Sequence, residues 1–149
     1  MLEFILQRSG YDVSTVHNGR DAQTAIEKLD PVDIVILDLM LPHVSGYQLI
    51  NEIRDNVTWH QVPIVVLSAR VLEDDIVKAL DLGANDYVTK PFRPAELLAR
   101  MRRIIADREQ LIAGNDVFPF SFVTSPPTAS LSISLPIFQG LSRQRQIEQ

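Results

Sequence analysis

Apolar and polar positions alternate between two periods along the first 110 residues. Leu2, Ile5 and Leu6 share one face of a short helix that Gly10 ends. Tyr11, Val13 and Thr15 then alternate with Asp12, Ser14 and Val16, the two-residue period of a strand. Ala22, Ala25, Ile26 and Leu29 return to helical spacing, and Pro31 lies beyond that helix. Residues 33–39 read as an apolar strand broken only by Asp38. Leu49, Ile50 and Ile53 mark a helix, and residues 63–68 form a second unbroken apolar strand. Residues 72–82 are helical through Ile76, Val77 and Leu80, with Gly83 placed as the C-cap. A short strand over 86–90 ends at Lys90-Pro91. A long helix follows, with Pro94 in its first turn and a stripe of Leu97, Leu98, Met101, Ile104 and Ile105.

Strands separated by helices at this spacing predict βαβ units and a doubly wound α/β fold with a parallel sheet. Strands 33–39 and 63–68 lack polar alternation, so helices should cover both their faces and they should be central. From residue 113 the pattern changes. Pro119, Pro126, Pro127 and Pro136 and many serines interrupt it, and no helical period survives. The division is therefore a domain over 1–110 and a Pro/Ser-rich tail or linker over 111–149, expected to be irregular or disordered. One piece of the tail, residues 130–135, alternates serine with leucine or isoleucine as a half-buried strand does. The terminal GLSRQRQIEQ reads as an unstructured end.

Composition narrows the function classes. Hydrophobic residues make up 46% of the chain, enough for a packed core. A net charge of −5 argues against a nucleic-acid surface, which needs a basic face. The absence of cysteine excludes a disulfide framework and thiolate metal sites. No apolar run has membrane-spanning length, and the N-terminus lacks a basic lead and a small-residue cleavage site. A cytoplasmic protein with no membrane partner is the expectation. Arg100, Arg102, Arg103 and Arg108 read as a solvated helix face, and His17, His43 and His60 have no metal-ligand spacing.

Three polar residues close three successive apolar strands: Asp38, Ser68 and Lys90. Open α/β sheets bind ligands beyond the carboxyl ends of their strands, so parallel neighbours would bring all three to one edge. A carboxylate can attack a phosphoryl group and hold it as an aspartyl-phosphate. Ser68 can then donate a hydroxyl hydrogen bond, and Lys90 can act on the phosphate as a point charge and pair with unmodified Asp38. Taken singly, Asp38 reads as a loop acid, Ser68 as a cap and Lys90 as a solvated lysine; the ordered triple favours phosphate chemistry. A cis bond at Lys90-Pro91 would fix the lysine's direction, although trans is the commoner state.

The segments "DLMLPHVSG", "VLSA" and "DYVTKPF" resemble the three signature segments of receiver domains of two-component response regulators. The resemblance runs from about residue 2 to residue 108, in the family's order and spacing. It implies a flavodoxin-like fold of five parallel strands in the order 2-1-3-4-5. It further implies Asp38 as phosphoacceptor, Asp38 and the Met40 backbone carbonyl as ligands of an incomplete Mg²⁺ site, Ser68 as switch hydroxyl, Lys90 as phosphate-binding lysine and Tyr87 as switch aromatic, although Tyr87 reads equally as an ordinary surface-edge aromatic. The implied partner is a histidine kinase or phosphotransfer protein, with a homodimer as a further arrangement.

This chain departs from the family in one respect. Receivers begin with a strand ending in two acids that hold Mg²⁺, whereas this chain starts inside the first helix, with Glu3 its only early acid. Metal-assisted phosphorylation is expected to be impaired. The missing strand is the middle one, which leaves an edge of 33–39 bare. Three fillers are conceivable: a direct shift of 11–16 onto 33–39, addition of the tail strand 130–135, or a strand outside a fragmentary chain, the reading favoured here. Three functions compete. A phosphoacceptor signalling domain, not an enzyme, comes first. A phosphorylation-independent interaction module or non-functional receiver fragment is second. A hydrolase using Asp38 as nucleophile comes last, for want of a second carboxylate as acid or base.

Overall fold

A computed structural model describes residues 1–41, 43–115 and 138–143, with 112–115 and 138–143 described through their backbone. In chain order the elements are α1 (Leu2–Arg8), β1 (Tyr11–Val16), α2 (Gly19–Lys28), β2 (Ile34–Leu37), α3 (Gly46–Asp55), β3 (Ile64–Ser68), α4 (Glu73–Leu82), β4 (Asp86–Thr89), α5 (Pro94–Asn115) and β5 (Phe138–Arg143).

Local chemistry sets the helix ends. Asn18 caps α2 by accepting from the Asp21 N–H, and Ser45 caps α3 by accepting from the Gln48 N–H. Leu72 gives α4 no side-chain cap, but Glu73, Asp74 and Asp75 set negative charge against its N-terminal dipole. Gly83 ends α4 at φ +118°, a left-handed conformation that glycine adopts without steric cost.

β2, β3 and β4 pair in parallel. Every residue of β2 and β3 is buried, because helices cover both faces. Alternate residues of each strand enter opposite layers. Val35, Leu37, Ile64 and Val66 pack with Ala22, Ala25, Ile26, Leu49, Ile50, Ile53 and Trp59 from the side of α2 and α3. Ile34, Ile36, Val65 and Leu67 pack with Leu6 of α1 and Leu97, Met101 and Ile105 of α5. The fold is thus a flavodoxin-like α/β sandwich, as the strand and helix periods require.

The sheet order is β1-β5-β2-β3-β4. β5 fills the position between β1 and β2, antiparallel to both. Tyr11 pairs with Arg143 and Val16 with Phe138 on one side; Ile34 pairs with Leu141 and Leu37 with Phe138 on the other. Three expectations change here. β1 does not shift onto β2 but reaches it through β5. The strand between β1 and β2 is Phe138–Arg143 and not the strand outside the chain that the sequence pattern favours, so part of the terminal GLSRQRQIEQ is strand; residues 130–135 lie outside the described residues. α5 continues to Asn115, past the boundary at 110. The physical reason for the insertion is that two facing strand edges each carry N–H and C=O groups that need partners.

Candidate functional site

β2 ends at Leu37, and Asp38 is the first residue beyond it, at the carboxyl edge of the sheet. Its carboxylate is held from two sides. Oδ1 accepts the Met40 N–H at 2.9 Å, and Oδ2 accepts the Lys90 ammonium at 2.7 Å. The aspartate side chain is 16% exposed and the lysine 38%, so the pair sits at a solvent-reachable rim. Gly46 makes this turn possible: a Cβ there would lie 2.6 Å from the Leu39 Cα and 2.7 Å from the Asp38 carbonyl oxygen. Its N–H donates to the Leu39 carbonyl at 3.1 Å. His43 in the same turn takes φ +72°.

Ser68 is fully buried at the end of β3. Its carbonyl accepts the Lys90 N–H at 2.9 Å, which ties the lysine backbone to the serine backbone. Its hydroxyl accepts the Arg70 N–H at 3.2 Å. The Lys90–Pro91 bond is cis. The structure therefore joins Asp38 to Lys90 by side chains and Lys90 to Ser68 by backbone. Met40 is present through its N–H on Asp38, and its side chain is exposed.

Tyr87 of β4 is half-buried against the core, and its hydroxyl donates to the Arg70 carbonyl at 2.8 Å. Burial pushes its phenol above the ordinary value, while a hydrogen bond with the Ser68 side chain pulls the other way. Around it lies a network that periodicity did not reveal. Arg70 pairs with Asp75 at 3.1 Å, and the Tyr47 hydroxyl donates to Asp75 Oδ1 at 3.1 Å. The Lys78 ammonium stands 4.3 Å over the Tyr47 ring. Burial, reinforced by the Asp75 bond, raises the Tyr47 pKa as well. Tyr47 directly follows the motif glycine, but its partner lies 28 positions away, so spacing gave no signal. The arginines of α5 are more engaged than a solvated face implies. Arg100 pairs with Asp86 and Glu96, and Arg108 donates to the Val32 and Asp33 carbonyls.

The donor set does not fit Mg²⁺. That ion takes oxygen ligands, commonly one or two carboxylates with phosphate and water. Each Asp38 oxygen already accepts one hydrogen bond, from the Met40 N–H and from the Lys90 ammonium, and the ammonium's positive charge beside the carboxylate opposes a further cation. Among the described residues no group of three or more His, Asp or Glu side chains could hold a metal ion.

A doubly wound α/β sheet with an aspartate–lysine pair at its carboxyl edge defines a flavodoxin-like domain with an acidic edge site. The chain belongs to the response regulator receiver domain family, whose profile matches residues 1–102. Solved structures agree. The receiver domain of a sensor histidine kinase from Pseudomonas aeruginosa PAO1, with a magnesium ion coordinated in its active site cleft, is 36% identical, with 70% of this chain and 85% of that one covered at a TM-score of 0.65. A putative response regulator from Chloroflexus aurantiacus J-10-fl is also 36% identical, covering 71% and 86% at a TM-score of 0.65. The chemotaxis response regulator CheY4 of Vibrio cholerae is 28% identical, covering 70% and 86% at a TM-score of 0.64. Among the described residues no helix is long and apolar enough to cross a membrane.

Proposed function

We propose that this receiver domain takes part in two-component signalling as a phosphoacceptor, with Asp38 receiving the phosphoryl group of a histidine kinase or phosphotransfer protein. In that step an Asp38 carboxylate oxygen attacks phosphorus, the new O–P bond forms, and the donor's P–N bond breaks with its electron pair staying on the imidazole. Lys90 neutralises part of the anionic charge on the phosphoryl oxygens. Ser68 and Tyr87 are the groups that respond to the added charge, Ser68 by turning its hydroxyl from the Arg70 N–H toward the phosphate. The observation that carries this reading is the 2.7 Å contact between Lys90 Nζ and Asp38 Oδ2 at the carboxyl edge. The chain acts in the cytoplasm as a signalling domain and not as a hydrolase.

A second reading, a phosphorylation-independent interaction module, draws on the poor fit of the site to Mg²⁺. One experiment separates the two. The protein is incubated with acetyl phosphate and MgCl₂, and its intact mass is measured. The first reading expects a phosphate adduct that Asp38→Asn abolishes. No adduct on the unaltered chain, with kinase binding retained, favours the second.

A further inference from the structure

The central position of the sheet is taken by the chain's own tail. β5 pairs with β1 along six residues, from Tyr11↔Arg143 to Val16↔Phe138, and with β2 from Ile34↔Leu141 to Leu37↔Phe138. Among the described residues β1 has no other strand partner, so β5 is its hydrogen-bonded link to β2. The direction of β5 has a chemical consequence. Because it is antiparallel, its first residue lies at the carboxyl edge, opposite Leu37 and one position from Asp38. A parallel strand in this place would deliver its last residue there instead. Residues 117–142 contain no aspartate or glutamate. The β5 residue at this edge, Phe138, carries no carboxylate.

We propose that Phe138–Arg143 is a built-in plug, which closes the gap between β1 and β2 in cis and leaves Asp38 paired with Lys90 in a site that takes no divalent cation. The geometry allows it within one chain. α5 runs back from the end of β4 and stops at Asn115. Residues 116–137, extended, reach about 70 Å, several times the length of a six-residue strand. The pairing also satisfies two strand edges that would otherwise template association between molecules. The inference concerns strand direction and the metal, and holds whether or not Asp38 accepts a phosphoryl group.

The chain has no cysteine, so paired cysteines report register cleanly. The full chain carrying Asp12→Cys with Ser142→Cys is oxidised and compared with Asp12→Cys with Gln139→Cys. The first pair is directly opposite in the antiparallel register. The second is three positions out, about 10 Å and beyond disulfide reach. The expected result is a crosslinked monomer for the first pair and its loss for the second. A crosslink formed only between two chains would give the position to a second copy, and equal crosslinking of both pairs would remove the register; either overturns the plug. A calorimetric titration of the unaltered chain with MgCl₂ tests the other half. No saturable binding is expected, and saturable binding lost in Asp38→Asn would overturn it.

Discussion

Under the proposed phosphoacceptor role, Lys90 matters more to chemistry than to stability. Its pair with Asp38 is short, but the lysine is more than a third exposed, and exposed pairs contribute about 0–1 kcal/mol. Lys90→Met should therefore lower the unfolding free energy by less than about 1 kcal/mol in urea titrations, while removing the acetyl phosphate adduct. A large stability loss would show that the pair is structural. Tyr87 makes a prediction about pH. Burial favours its neutral phenol, so the folded state holds the proton more tightly than the unfolded chain. The stability it adds is complete below the ordinary tyrosine value of 10.0 and is lost as pH rises through the higher folded value. Tyr47 shifts the same way and shares the alkaline loss. Thermal melts should fall more gently above pH 10.0 in Tyr87→Phe than in the unaltered protein. Equal slopes would remove Tyr87 from the account.

Between elements, Arg54 is the strongest clamp. Its guanidinium donates to the Gly83 carbonyl from Nε at 3.0 Å and Nη2 at 2.7 Å, and to the Val62 and His60 carbonyls at 2.7 and 2.9 Å. It also meets Asn85 Oδ1 at 2.9 Å, so the end of α3 is tied to the cap of α4 and the start of β3. A Cβ on Gly83 would lie 2.9 Å from Arg54 Nε, so glycine serves both the left-handed turn and the clamp. A buried carbonyl left without a donor costs about 1–3 kcal/mol, and with the Val62 carbonyl buried and the Gly83 carbonyl partly so, Arg54→Met should destabilise the fold by about 2–3 kcal/mol, measured by denaturant unfolding. A change under about 1 kcal/mol would mean that water replaces the guanidinium. α4 contrasts with α3. Only Ala79 of α4 is buried, whereas Gly46, Leu49, Ile50 and Ile53 of α3 are. Val77 and Leu80 remain exposed. α4 thus buries less apolar surface than α3, and the Tyr47 to Asp75 bond is one polar contact that ties it to the rest.

For the whole molecule, the sheet is continuous only with the tail strand in place. Hydrogen exchange should then show β2, which like β3 has partners on both sides, protected on a similar scale, with β1 less protected as an edge strand. Fast exchange along Ile34–Leu37 would mean that an edge of β2 is open. Much of this architecture was legible in the sequence. Period-2 and period-3.6 patterns placed each element of the first 110 residues. Runs such as Pro63 to Ser68 announced the buried strands. The ends of those strands carried Asp38, Ser68 and Lys90. Two features were not legible. The Arg70–Asp75–Tyr47 network joins residues from different elements, and no spacing rule connects them. The pattern favours a filler strand outside a fragmentary chain, with the strictly alternating 130–135 as one alternative, whereas the strand between β1 and β2 is Phe138–Arg143, where FQGLSR is weakly periodic.

Over the first 110 residues the sequence alone determined which segments are helix and which are strand, because each pattern reflects how many faces an element buries. It also determined that an acid, a hydroxyl and a lysine lie at strand ends. Tertiary structure decided the rest. Which strand lies between β1 and β2, and in which direction, depends on two distant edges needing the same hydrogen-bond partners. That direction in turn sets which residue falls opposite Leu37, one position from Asp38, a matter of three-dimensional placement that no local pattern encodes.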